Sequence, residues 1–270
     1  MLRLHEARSV GRASWTWPWT CLLTLLPIVL ACLASPARCI AQENAQSPRA
    51  LTAQEIVSEM VSRNRARAAA LPSYSARQVC QLTYRGFPGD RSGEMVLQVE
   101  STAGAGKRYA LVSQSGSKFI IDHVLERLLR SEQEAQSARN REETALTPQN
   151  YNFDLLAEKT TAQGRFYVLR ARPKIDNKFL FRGEVWVDAT DFAVARIVAA
   201  PAKNPSFWIT HTRIEQDYAR IGSFWLPLQN TSVSKIRVLG GTATLRIQYQ
   251  AYSLAPGAKG AIPGQAVGTQ

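Results

Sequence analysis

The chain has 270 residues, 45% of them hydrophobic and 9% aromatic, with a formal net charge of +12. Enough apolar residues are present to build a packed core, which excludes a wholly disordered chain. The positive charge is spread along the sequence without a dense basic run, which excludes the concentrated footprint of a nucleic-acid binder. Two readings of the charge remain, weak attraction to anionic lipid head groups and ordinary solubility.

The first forty residues have the three-part layout of a secretion signal. Arg3, Arg8 and Arg12 supply positive charge, an apolar run covers 21–34, and Cys39-Ile40-Ala41 offers small residues for cleavage. A membrane-spanning helix needs about 20 apolar residues. This run is shorter and contains Pro27, so a cleaved signal peptide is expected over residues 1–41. The competing reading is a lipid anchor on Cys32, since Val29-Leu30-Ala31-Cys32 loosely follows the apolar-apolar-small-Cys pattern. Cleavage after Ala41 removes Cys21, Cys32 and Cys39 and leaves Cys80 alone, without a partner for a disulfide. A buried structural thiol is the expected role of Cys80.

Residues 42–50 are polar and read as a disordered leader. Thr52 and Glu55 then form a capping box ahead of a helix over about 53–70. Ile56, Val57, Met60 and Val61 mark its apolar face, and Arg63, Arg65 and Arg67 its wet side. From Ser73 the period changes to two, which predicts a meander of four strands with the last at 118–122. A helical interruption over about 123–144 follows, and then a stretch at 146–156 that is irregular or a short helical turn. Seven more strands are expected at 157–161, 165–173, 178–188, 192–200, 206–218, 224–237 and 242–252. Turn residues such as Asp188, Asp191 and Gly222 separate them. The tail from Pro256 is rich in Gly and Pro and reads as disordered.

Alternation gives each strand one dry and one wet side. Trp208 and Ile214 share one side of their strand, with Phe207, Ile209, His211 and Arg213 on the other. The whole is expected to be mainly β: one curved antiparallel sheet of about eleven strands forming an incomplete barrel, with helices over its concave face. Either a filled core or an apolar hollow satisfies that pattern.

No catalytic constellation is visible. His123 and His211 have no Cys or His at metal-ligand spacing, and no nucleophile elbow or phosphate-binding loop occurs. Turn chemistry explains Asp188 and Asp191, and Asn230-Thr231-Ser232 is read as an accidental glycosylation spacing. The reading is against an enzyme, with no cofactor and no metal.

Several segments resemble the LolA-like family of periplasmic lipoprotein carriers, which includes LolB and the amino-terminal domain of RseB/MucB. Residues 51–64 resemble its opening helix, and Asn150-Tyr151-Asn152-Phe153 with 164–169 resembles its central junction. Gly183-Glu184-Val185-Trp186-Val187-Asp188 resembles its strand-to-turn segment, and Asp217-Tyr218 through Phe224-Trp225-Leu226-Pro227 its lipoprotein-sorting-related branch. The resemblance covers about 51–253, leaving 254–270 as the tail.

The resemblance implies a half-barrel in the periplasm that holds acyl chains in an apolar cavity. It would act in outer-membrane lipoprotein sorting or related envelope transport, as a monomer making peripheral contact with a membrane. The implied cavity wall is Tyr167, Leu169, Phe179, Phe181, Val185, Val187, Leu245, Ile247 and Tyr249. The implied lid is Ile56, Met60, Leu125 and Leu128. The family also implies an alternative, an RseB-like envelope sensor that binds a protein partner and carries no cargo.

Overall fold

The opening helix forms where the capping box places it. Helix α1 spans Ala53–Ala70. The Glu55 amide donates to Thr52 Oγ1 at 3.3 Å, and the Thr52 amide donates to Glu55 Oε2 at 2.8 Å. Each satisfies a backbone donor that the first helical turn leaves open. The helix stops at Leu71 because a residue before proline is pushed to extended geometry. This computed structural model describes residues 49–102, 106–204, 207, 209–237 and 240–255. The expected signal segment, Cys32, most of the leader, Trp208 and the tail from Pro256 lie outside the described residues.

Among the described residues ten strands follow, all paired antiparallel in one sheet. They are β1 (Tyr74–Arg85), β2 (Arg91–Thr102), β3 (Gly106–Gly116), β4 (Tyr151–Thr161), β5 (Gly164–Pro173), β6 (Phe181–Asp188), β7 (Val194–Pro201), β8 (Ile209–Ile221), β9 (Phe224–Ile236) and β10 (Thr242–Leu254). Their spatial order is β3-β2-β1-β10-β9-β8-β7-β6-β5-β4, and the sheet does not close into a barrel. The consecutive strands β3 and β4 thus occupy opposite edges. The segment joining them has to cross a whole face of the sheet, and it does so as helix. Helix α2 (Lys118–Ile120) runs through a π-helical turn, Ile121–Leu125, into α3 (Glu126–Ala135), and α4 (Ala138–Thr144) follows.

Three expectations are corrected here. Residues 118–122 are helical, so the meander has three strands and the sheet ten rather than eleven. The strand expected at 157–161 starts earlier, at Tyr151, directly after a turn closed where the Asn150 amide donates to the Thr147 carbonyl. The strand expected at 178–188 begins only at Phe181, because the Asn177 side chain accepts from the Phe179 amide at 2.9 Å and holds a turn.

The helices cover two apolar cores, and a third cluster of Tyr74, Ala76, Phe224 and Leu226 packs against Leu71 at the end of α1. Under α1, Ile56, Val57 and Met60 pack on Tyr167, Leu169, Val185 and Val187. Under the π turn and its flanks, Ile120, Ile121 and Leu125 pack on Cys80, Leu82, Met95, Leu97 and Ile247. Register explains the division. Side chains directly opposite on paired strands share a face. One row therefore crosses all ten strands: Gln114, Met95, Cys80, Ile247, Asn230, Gln216, Ile197, Val185, Leu169, Leu155. Its two arms are largely apolar and its middle is polar.

Candidate functional site

The expected wall is split by that polar middle. Tyr167, Leu169, Val185 and Val187 lie buried beneath the α1 residues Ile56 and Met60, with Phe181 partly buried beside them. Ile247 is buried beneath Leu125 and Leu128, with Leu245 and Tyr249 partly covered. Phe179 joins neither group; it sits in the β5–β6 turn with Lys178 Nζ 4.7 Å from its ring centroid. Between the groups, Asn230 Nδ2 donates to Gln216 Oε1 at 2.9 Å, Ser232 Oγ to Asn230 Oδ1 at 3.3 Å, and the Thr212 and Ser234 hydroxyls are 2.9 Å apart.

The open space is elsewhere, beside the C-terminal half of α1. A hollow of about 400 Å³ is lined by Asn64, Arg67, Ala68 and Leu71 of the helix side and by Phe181, Val194, Ile197, Tyr218, Phe224 and Leu226 of the sheet. Small-molecule sites occupy about 300–1,000 Å³ and are mostly apolar with few polar groups. This hollow has that make-up, and Phe181 is the one expected wall residue that lines it.

Two arginines tie α1 to the β6–β7 turn at the hollow's mouth. Arg67 Nη1 donates to the Asp191 carbonyl at 2.9 Å and Nη2 to Asn64 Oδ1 at 2.7 Å. Burial pulls the Arg67 guanidinium below its ordinary value, and the Asp191 charge opposes that pull. Arg63 donates to the Thr190 carbonyl at 3.4 Å and lies 4.7 Å from the Phe192 ring centroid. The sequence placed Arg63, Arg65 and Arg67 together on the wet side. Only Arg65 is fully exposed, because positions four apart lie on one flank of a helix and put Arg63 and Arg67 against the turn. The turn itself follows its sequence chemistry: Asp188 Oδ1 accepts from the Thr190 and Asp191 amides, and Trp225 Nε1 donates to Asp191 Oδ2 at 2.7 Å.

Cys80 is buried, as expected, and burial pushes its thiol up to about 12. Tyr151, buried with its oxygen accepting from the Phe181 amide, is also pushed up to about 12 by burial. Burial favours the neutral form of both groups in the folded chain. The unfolded chain releases these protons first, from the ordinary values of 9.0 and 10.0, so the native state loses stability as the pH rises from about 9 toward 12. Urea midpoints are expected to stay level from pH 7 to 8.5 and to fall between pH 9 and 11 (~), and a Cys80→Ser variant should show a shallower fall.

Among the described residues, no group of three His, Cys, Asp or Glu side chains is placed to hold a metal ion. No described helix is long and apolar enough to cross a membrane.

No family model matches the sequence, and no curated protein matches it. Solved structures do match. An outer membrane lipoprotein-sorting protein domain, so named by attribution, from Vibrio parahaemolyticus is 12% identical with a TM-score of 0.39, covering 74% of this chain and 94% of its own. A LolA superfamily protein from Nitrosomonas europaea is 11% identical with a TM-score of 0.33, covering 76% and 94%. MucA/MucB of Pseudomonas aeruginosa gives 8% identity and a TM-score of 0.25, covering 73% and 98%. The Nitrosomonas protein is described as a member of the LolA superfamily, the group that the sequence resembles. Identities and TM-scores this low carry no argument about function.

Proposed function

We propose that the protein binds the acyl chain of a lipid or lipoprotein in the hollow beside α1 and carries it in the cell envelope, in outer-membrane lipoprotein sorting or a related transport step. The observation that carries this reading is the hollow's chemistry: Phe181, Val194, Ile197, Phe224 and Leu226 surround it, with Arg67 and Asn64 at one side. Each methylene taken out of water is worth about 0.8 kcal/mol, so a long chain would cost on the order of 10 kcal/mol to carry exposed. An apolar hollow offsets that cost.

In this reading α1, with Ile56 and Met60, is the lid. Its displacement would join Tyr167, Leu169, Val185 and Val187 to the wall that Phe181 already forms. Leu245, Ile247 and Tyr249 under Leu125 and Leu128 form the corresponding half beyond the polar middle of the sheet. The setting is the periplasm, free or tethered through Cys32, and no catalysis is involved.

Native mass spectrometry with lipid extraction on the mature domain should find an acyl lipid or lipopeptide bound near one to one. Ile197→Trp fills the hollow from the sheet side and should weaken uptake of a fluorescent fatty-acyl probe by about tenfold or more while the fold persists. Phe181→Asp should do the same. Leu245→Asp should act on stability instead, since Leu245 packs in the other core. A protein that is empty, and whose probe binding ignores Ile197→Trp and Phe181→Asp, would sink the carrier reading and leave the RseB-like interaction module in its place.

A further inference from the structure

The sheet's other face carries a second hollow that the acyl reading does not use. A groove of about 520 Å³ on β1 and β10 is lined by Gln81, Thr83, Arg85, Thr242, Thr244 and Arg246. Register sets Gln81 opposite Arg246, Thr83 opposite Thr244 and Arg85 opposite Thr242. Their neighbours Cys80, Leu82, Leu245 and Ile247 belong to the helix-covered core, so alternation turns all six groove residues away from the helices. The two arginines stand four residues apart along the strands, roughly 13 Å at 3.3 Å per residue, with the Thr83–Thr244 pair between them.

Charge at this groove is not neutralised. Elsewhere on the sheet Arg196 and Arg213 meet Glu215, Arg172 meets Asp154, and Arg182 meets Asp176. No lining residue of the groove is acidic, and among the described residues no ion pair or hydrogen bond engages the Arg85 or Arg246 side chain. Lys235 lies opposite Thr242 on the next strand and adds a third positive group at the rim. The nearest carboxylate across β2, Glu94, accepts from Gln81 Nε2 at 2.7 Å.

The geometry points to a binding site for a phosphate group. Guanidinium forks match phosphate oxygens in pairs, and threonine hydroxyls donate to the oxygens that remain. The lining has no aromatic ring to stack a base, so the phosphate itself is what the groove reads. Two sources share that chemistry, the head group of an anionic phospholipid and a soluble phosphate compound. The site is on the face opposite the acyl hollow and stands whether or not that hollow binds a chain.

The test uses the mature protein, an Arg85→Gln/Arg246→Gln variant and a control, Arg127→Gln/Arg141→Gln, that removes the same charge from the helices. All four arginines are exposed, and none has a partner in the described structure whose loss would unfold the chain. Inorganic pyrophosphate is titrated by calorimetry. Vesicles of equal phosphatidylglycerol and phosphatidylcholine are assayed by co-sedimentation against vesicles of phosphatidylcholine alone. The groove variant should weaken binding by about tenfold or more in at least one arm, with the control within about twofold, since charge-assisted hydrogen bonds are the strong ones. Loss in the pyrophosphate arm alone assigns a soluble phosphate; loss with vesicles alone assigns a head group. Absence of binding in both arms, or an equal loss in the control, overturns the site.

Discussion

A Met60→Ala variant should lose about 2–5 kcal/mol of stability, the usual cost of truncating a fully buried methionine. Met60 is 1% exposed and packs with Ile56 and Val57 against Tyr167, Leu169 and Val185. At about 2–4 °C per kcal/mol for a domain of this size, the thermal midpoint should fall by roughly 4–20 °C. Where the protection is lost matters as much as how much. The two cores are separated by Gln216, Asn230 and Ser232, so α1 can loosen without disturbing the packing beneath Leu125. Hydrogen exchange should therefore quicken in Ala53–Ala70 while the helical run around Ile121–Leu125 keeps its protection. Equal loss of protection in both helices would show one cooperative unit and would refute the division.

The second large effect is expected from a single added methyl group. A Cβ built on Gly93 of β2 would lie 2.8 Å from Ile120 Cγ2 and 3.3 Å from Ile120 Cβ. The helix sits directly on the strand's backbone there. Gly93→Ala should cost about 1–3 kcal/mol through overpacking. Ile120→Ala, which leaves a hole at the same spot, should cost about 2–5 kcal/mol. The double variant places the new methyl in that hole, so its loss should be clearly smaller than the two single losses added together. Denaturant midpoints of the four proteins decide this. Strict additivity would mean that the helix moves aside for the methyl group and is not seated on Gly93.

What alternation can show was legible, and what depends on neighbours was not. Thr52 and Glu55 mark the first helix, and β1 and β2 read correctly because each has one buried apolar side. The run Lys118-Phe119-Ile120-Ile121-Asp122 is too short and too apolar for its period to distinguish strand from helix. Its state is decided by topology: a chain leaving one sheet edge and returning at the other must cover the face between, and helix buries Ile120 and Ile121 while doing so. Phe179 lies in a turn ahead of the strand expected to carry it because Asn177 binds its amide, a local bond that overrides hydrophobic spacing.

The polar middle of the covered face was missed for a different reason. Gln216, Asn230 and Ser232 each alternate correctly within their own strands. Only the register of β8 with β9 shows that they stand side by side and bond to one another. Arg67 was misplaced similarly, since its contacts with Asp191 and the β6–β7 turn lie 124 residues away in sequence. One signal was present: Arg63 and Arg67 recur at helical spacing on the flank next to Asn64.

The pairing of β1 with β10 has a consequence for how the sheet is assembled. Tyr74 lies opposite Leu254, and the Ala255 amide donates to the Ser73 carbonyl at 2.9 Å. Every other strand pairs only with its neighbours in sequence, so this one ladder holds most of the fold's contact order, and closing it carries the largest loop entropy. Until β10 has formed, β1 is paired on one side only, with β2. Adjacency in space is a closed cycle interrupted only at the crossing from β3 to β4. A circular permutant opened at that crossing would bring all ten strands into chain order, with α1 carried in the connection from β10 to β1.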